Sequence, residues 1–163
     1  MNKLKNIWYA VRFKINELEL FERNLKNQKF IFYIPKFTKK VRNNKLKIIS
    51  LFPGYGFVKN TNLELNALRY TRGVIDIVKF GDNYAFIEDE IIKHVKDVEN
   101  ISQTKPIEKS LSIGDEISIR GGPFKDYISR VISLPAKDRV TVLMSLLGSD
   151  KNITLPIDLI EKT

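Results

Sequence analysis

Apolar positions along this chain fall into short alternating runs punctuated by helical stripes. Ile7, Tyr9, Val11 and Phe13 alternate with Trp8, Ala10, Arg12 and Lys14, which predicts a half-buried first strand. Leu18, Phe21 and Leu25 follow at helical spacing behind a capping box of Asn16 and Glu19, while Arg23, Asn24, Lys26, Asn27 and Gln28 lie off that stripe. Phe30 to Ile34 predicts a second strand stopped by Pro35, and Phe37 to Ile49 a hairpin around Arg42-Asn43-Asn44-Lys45, because adjacent asparagines suit a turn with positive φ. Leu51 to Val58 and Val74 to Phe80 read as buried strands. In the first of these, Gly54 and Gly56 interleave with Tyr55 and Phe57, so the two rings share a face. Thr61 and Glu64 cap a short helix through Leu65 and Leu68, and Glu88, Asp89 and Glu90 open a longer one that carries Ile91, Ile92, Val95 and Val98.

Strand, helix, strand, strand, helix, strand is the order of a split βαβ unit, and it predicts an α+β fold for residues 1–99. From Glu99 to Ser112 the chain turns polar without periodicity, so residues 100–112 are expected to be a linker and residues 113–163 a separate small domain. That tail carries two patterns at once. Ile117, Ile119, Val131, Val140, Thr141 and Val142 offer the β-branched residues of a small barrel. Phe124, Tyr127, Ile128, Val131 and Ile132, and then Val140, Leu143, Met144 and Leu147, also fall at helical spacing as two arms of a hairpin.

Charge narrows the partners. Residues 1–60 hold 14 Lys and Arg against 3 acids, residues 61–100 hold 5 against 8, and the whole chain of 163 residues carries +9. A basic excess confined to the first third suits a surface that meets phosphate or an acidic partner. Cysteine is absent and His94 is the single histidine, so neither a disulfide framework nor a thiolate or histidine metal site is available. No glycine-rich phosphate loop is present either, and Glu88, Asp89 and Glu90 are explained as a helix N-terminus. The expectation is a non-enzymatic protein without cofactor or metal. No apolar run approaches the length of a membrane span, which points to a cytoplasmic location.

Two signatures in sequence carry a family resemblance. The first comprises Trp8-Tyr9, Asn24-Leu25-Lys26-Asn27-Gln28, Phe52-Pro53-Gly54-Tyr55 and Thr71-Arg72-Gly73-Val74; the second comprises Gly114-Asp115, Ile117, Ile119, Gly122-Pro123-Phe124 and Val131. The first resembles the N-terminal domain of the NusG family of transcription elongation and antitermination factors, and the second its KOW motif. Thr71-Arg72-Gly73-Val74 with Val78-Lys79-Phe80-Gly81 looks most like the specialised RfaH-like paralogues, since general factors usually carry proline at the position of Arg72.

The resemblance implies binding to the β′ clamp helices of RNA polymerase through Pro53, Tyr55, Phe57 and Phe80, with suppression of pausing. In RfaH-like members the opposite face reads single-stranded non-template DNA, and the matching positions are Lys14, Asn24, Asn27, Gln28, Thr71 and Arg72. Those members also touch the β gate loop through a histidine and three threonines, where this chain has Glu64-Leu65-Asn66-Ala67. Gly114, Asp115, Gly122, Pro123 and Phe124 would belong to a KOW β-barrel that recruits a small-subunit ribosomal protein or Rho. RfaH-like tails alternatively form a helical hairpin packed on the N-terminal domain. A structural reading of Arg72 competes with the DNA one, since it could pair with Asp76. A different class also competes: Gly54-Tyr55-Gly56-Phe57-Val58 matches the core of the RNA-recognition-motif signature, in which Tyr55 and Phe57 would stack RNA bases.

Overall fold

The computed structural model describes residues 6–61, 65–104 and 135–148. Its contacts divide the chain into two units, one of residues 1–34 and 53–89, the other of residues 35–52 and 90–163.

The first unit is built on β1 (Ile7–Phe13), which has partners on both sides. It pairs antiparallel with β5 (Tyr55–Lys59), with β6 (Val74–Ile77) and with β9 (Phe86–Glu88), while β2 (Phe32–Tyr33) continues the sheet beyond β5 in the order β2-β5-β1-β6. Alternation then sorts the side chains. Val11, Phe13 and Val58 face α1 (Leu18–Asn27) and α2 (Leu65–Arg69), where Phe21, Leu25, Ile34, Leu68 and Ile77 complete the core. Phe13 stacks on Phe21 with centroids 4.6 Å apart. On the other face Trp8 pairs with Lys59, Ala10 with Phe57 and Arg12 with Tyr55, and Trp8, Ala10 and Phe57 are buried too. Trp8 Nε1 donates to Asp89 Oδ1 at 2.8 Å, and Lys59 Nζ lies 3.4 Å from the same oxygen.

Several element boundaries differ from the sequence expectation, each for a local reason. The Asn16 capping box does not form, because a 3-10 turn over Ile15–Glu17 precedes α1 and no side chain caps either start. Leu51 to Gly54 is a turn rather than the start of a strand, and Gly54 takes φ +83° there. The run Val74 to Phe80 breaks at Val78 into β6 and β7 (Lys79–Phe80), which pairs with β8 (Asn83–Tyr84). The signal for that second hairpin was Gly81-Asp82, with Gly81 at φ +63°.

In the second unit β3 (Lys36–Lys40) and β4 (Leu46–Ser50) form a two-stranded hairpin. Asn43 and Asn44 close it with φ of 65° and 58°, as adjacent asparagines predict. Helix α3 (Asp89–Thr104) runs on through residues 100–104, so the expected linker does not begin at 100. Helix α4 (Ala136–Gly148) adopts the helical pattern of the tail, and the alternative strand over Val140, Thr141 and Val142 is not formed. Arg139, Leu143 and Leu147 recur every fourth residue along α4 and all three are buried. The KOW residues Gly114, Asp115, Gly122, Pro123 and Phe124 lie outside the described residues, as does Glu64.

Candidate functional site

The end of α1 and the turn between α2 and β6 meet through side-chain amides. Asn24 Nδ2 donates to the carbonyl of Arg72 at 2.9 Å, and Gln28 Nε2 donates to Thr71 Oγ1 at 2.9 Å. Thr71 Oγ1 in turn donates to the carbonyl of Ala67 at 2.8 Å, which explains why this hydroxyl is buried. Gly73 holds φ +100°, and a Cβ there would sit 3.1 Å from both Cα and Cβ of Phe21. Only glycine permits α1 to approach the turn that closely.

Backbone bonds bring Lys14 to the same place, since its N–H donates to the carbonyl of Gly73 at 3.2 Å. Four of the six residues matched to DNA reading, Asn24, Gln28, Thr71 and Arg72, are thus paired by hydrogen bonds, Lys14 bonds to the adjoining Gly73, and Asn27 is exposed on the same last turn of α1. The amides act differently from expectation. Asn24 and Gln28 spend donors on the turn itself, which leaves Asn27 as the amide without an assigned structural bond. Arg72 does not pair with Asp76, because Asp76 receives a two-pronged bond from Arg12 at 2.8 and 3.3 Å. The Arg72 side chain points to solvent.

The four aromatic and proline positions expected to share one docking patch are distributed over three environments. Pro53 and Tyr55 line an open groove of about 570 Å³ together with Arg12, Lys14, Ile15 and Ile75. Ile15 is 64% exposed and Ile75 45%, so the groove carries uncovered apolar surface at its lip. Phe57 points to the buried face beside Ala10 at 1% exposure. Phe80 lies beyond β1 from β5, on the β7–β8 hairpin, and is 42% exposed. Sequence reasoning did not single out Ile15 and Ile75 for the groove. For Ile15 the signal was an isoleucine in a polar stretch between strand and helix, whereas Ile75 had none, since strand alternation puts it in phase with the buried Ile77 and the register shift of β6 opposite Arg12 and Phe13 turns it outward.

A further contact lies within the second unit. Arg139 of α4 donates through Nε to the carbonyl of Leu51 at 2.7 Å and through Nη2 to that of Ser50 at 3.2 Å. Its guanidinium sits 5.1 Å from the centroid of the Phe37 ring. Burial lowers the Arg139 pKa from its ordinary value, but the group stays a cation. Elsewhere, Tyr9 packs edge-on to Tyr84 at 6.2 Å, and burial followed by repulsion from Tyr84 raises its pKa. Among the described residues no group of three acids or histidines is placed to hold a metal, and no helix is long and apolar enough to cross a membrane.

A family model described as transcription termination factor nusG matches residues 6–96. The transcription termination/antitermination protein NusG of Staphylococcus epidermidis is 28% identical over 173 residues, spanning 95% of this chain and 94% of its own. The protein of the same description from Staphylococcus carnosus is 27% identical over 174 residues, with the same coverage of 95% and 94%. Its counterpart in Synechocystis is 27% identical over 131 residues, covering 69% of this chain and 61% of its own. These matches displace the RNA-recognition-motif alternative, and the burial of Phe57 removes one of its two stacking rings.

Proposed function

Since the chain belongs to the NusG family, whose members are transcription factors and not enzymes, we propose that it binds the β′ clamp helices of RNA polymerase, suppresses pausing, and reads the displaced non-template strand. The single observation that carries the first part is the groove in which Pro53 and Tyr55 meet the exposed Ile15 and Ile75. An open apolar groove suits the apolar side of an amphipathic helix, and the ion pairs Arg12–Asp76 and Lys14–Glu17 at its edge offer both charges to the polar flanks of that helix. Phe80 extends the contact across β1, and Phe57 joins it only where its cover is removed. The protein would act in the cytoplasm, where its polymerase works.

The second part rests on the hydrogen-bonded turn. Arg72 and Lys14 supply cations for phosphate, while Asn27 presents a free amide edge to a base. Asn24, Gln28 and Thr71 hold that surface in shape. The tail residues Gly114, Asp115, Gly122, Pro123 and Phe124 are proposed, on the resemblance alone, to form the KOW site for a small-subunit ribosomal protein or Rho. That α4 is helical and anchored through Arg139 favours an RfaH-like tail, which converts to a barrel after release.

A binding assay on immobilised core polymerase tests the groove. Tyr55→Glu or Ile75→Glu, each with an unchanged melting temperature, should weaken binding tenfold or more, because removing one such contact costs roughly 1.5 to 3 kcal/mol. Unchanged affinity in both variants overturns the assignment.

A further inference from the structure

The turn that carries Thr71 and Arg72 also presents Tyr70, whose side chain is 81% exposed, more than any other large apolar side chain among the described residues. Its backbone is nonetheless fixed. Tyr70 N–H donates to the carbonyl of Asn66 at 3.1 Å, Thr71 N–H to that of Leu68 at 3.1 Å, and the side chains of Thr71, Gln28 and Asn24 hold the next two residues. An aromatic ring that stands in water on an immobile base contributes nothing to the core, yet loses little entropy when a flat partner covers it. The Arg69 guanidinium lies 6.0 Å from the ring centroid, and Arg72 is exposed two residues on, so a cation flanks the ring on each side in sequence.

We propose that Tyr70 is a stacking platform for one base of a single-stranded nucleic acid, with Arg69 and Arg72 taking the adjoining phosphates. The proposal rests on the reading that this turn faces the displaced strand, and it adds the group that recognises a base by its face. Single strands are the matching ligand because their base faces are open, whereas a duplex buries them in its own stack. Stacking on one ring also tolerates any base, so this contact contributes affinity without sequence preference and leaves discrimination to edge contacts such as Asn27.

The test uses the full chain and fluorescein-labelled DNA of 12 nucleotides, read by anisotropy, with a duplex of the same sequence and a strand of abasic residues as companions. Tyr70→Ala should weaken binding to the single strand about 5- to 100-fold and leave the salt dependence unchanged, whereas Tyr70→Phe should bind as the parent does. Arg72→Ala should lower the slope of log affinity against log salt by about 0.7. The abasic strand, tested on the unsubstituted chain, should lose at least the increment of Tyr70→Ala, since it removes the stacked base together with edge contacts such as that of Asn27. If the parent binds the single strand but Tyr70→Ala and the abasic strand bind equally well, the platform is overturned and the strand-facing reading stands. Equal or tighter binding of the duplex also overturns the platform. If the parent binds no DNA in any form, the strand-facing reading falls and the platform with it.

Discussion

Replacing Arg139 with alanine should release α4 from its anchor, and the structure sets the size of the effect. Arg139 is 5% exposed, and its guanidinium donates at 2.7 Å to the carbonyl of Leu51 and at 3.2 Å to that of Ser50. Each such bond contributes about 1.5 to 3 kcal/mol, and the Phe37 ring adds about 0.5 to 2 kcal/mol. Desolvating the cation opposes them, in line with its lowered pKa, although a guanidinium is more weakly hydrated than an ammonium and loses less. A net loss of about 2 to 4 kcal/mol is expected on truncation. Amide hydrogen exchange over residues 136–148 reads this directly, since each 1.4 kcal/mol is a tenfold change in protection. Arg139→Ala should therefore lower protection at least about 30-fold. Arg139→Lys should fall between the two, because one ammonium reproduces neither the fork nor the flat contact with Phe37. A change below threefold in Arg139→Ala would show that Leu143 and Leu147 alone hold the helix, and would refute the anchor.

The remaining expectations concern the first unit. Gly73→Ala should destabilise by at least about 2 kcal/mol in urea unfolding, from a left-handed φ combined with a 3.1 Å approach to Phe21. Lys29→Gly should stabilise by about 0.5 to 1 kcal/mol in the same assay, because Lys29 closes α1 at φ 61° and its neighbour Phe30 bonds back to the carbonyl of Leu25 at 3.0 Å in a helix-ending motif built for glycine. Tyr9 has a folded pKa above its ordinary value of 10.0, so its contribution is fully present below that value and is lost as pH rises through the folded pKa; thermal melts should show an alkaline decline above about pH 10 that is shallower in Tyr9→Phe.

Much of this arrangement could be read from the chain because strand period and turn chemistry are local. The alternation of Ile7 to Phe13 and the paired asparagines at 43 and 44 are decided within a few residues, and both appear as predicted. Residues whose role depends on a distant partner were legible only in part. Asn24 and Gln28 had the amides of a base-reading pair, but their spacing could not reveal that Thr71 and Arg72 would take their donors across more than 40 residues of sequence. Phe57 showed the right phase beside Tyr55, yet burial of that face depends on contacts no strand pattern encodes. Arg139 was hidden by its type, since an arginine on a helix ordinarily marks the wet side, and only the Leu143-Leu147 spacing hints that its face is the inner one.

The groove and the turn are joined by two consecutive amides at the end of β1. Phe13 N–H donates to the carbonyl of Gly54 at 2.8 Å, and Lys14 N–H donates to that of Gly73 at 3.2 Å. Gly54 is at the lip beside Pro53 and Tyr55, whereas Gly73 ends the segment that carries Tyr70 and Arg72. Both acceptors hold positive φ, at 83° and 100°, so each is a fixed corner rather than a pliable loop. Between them Phe13 is buried and stacked on Phe21, the same residue whose backbone and Cβ forbid a side chain at Gly73. A shift of one surface relative to the other would therefore strain two backbone bonds and a packed pair of rings together. On the proposed function, polymerase in the groove would carry the turn to a set position beside it, and a displaced strand would meet a preformed surface. Ordering costs for that second contact are then largely met by the fold, which lets a few residues contribute useful affinity.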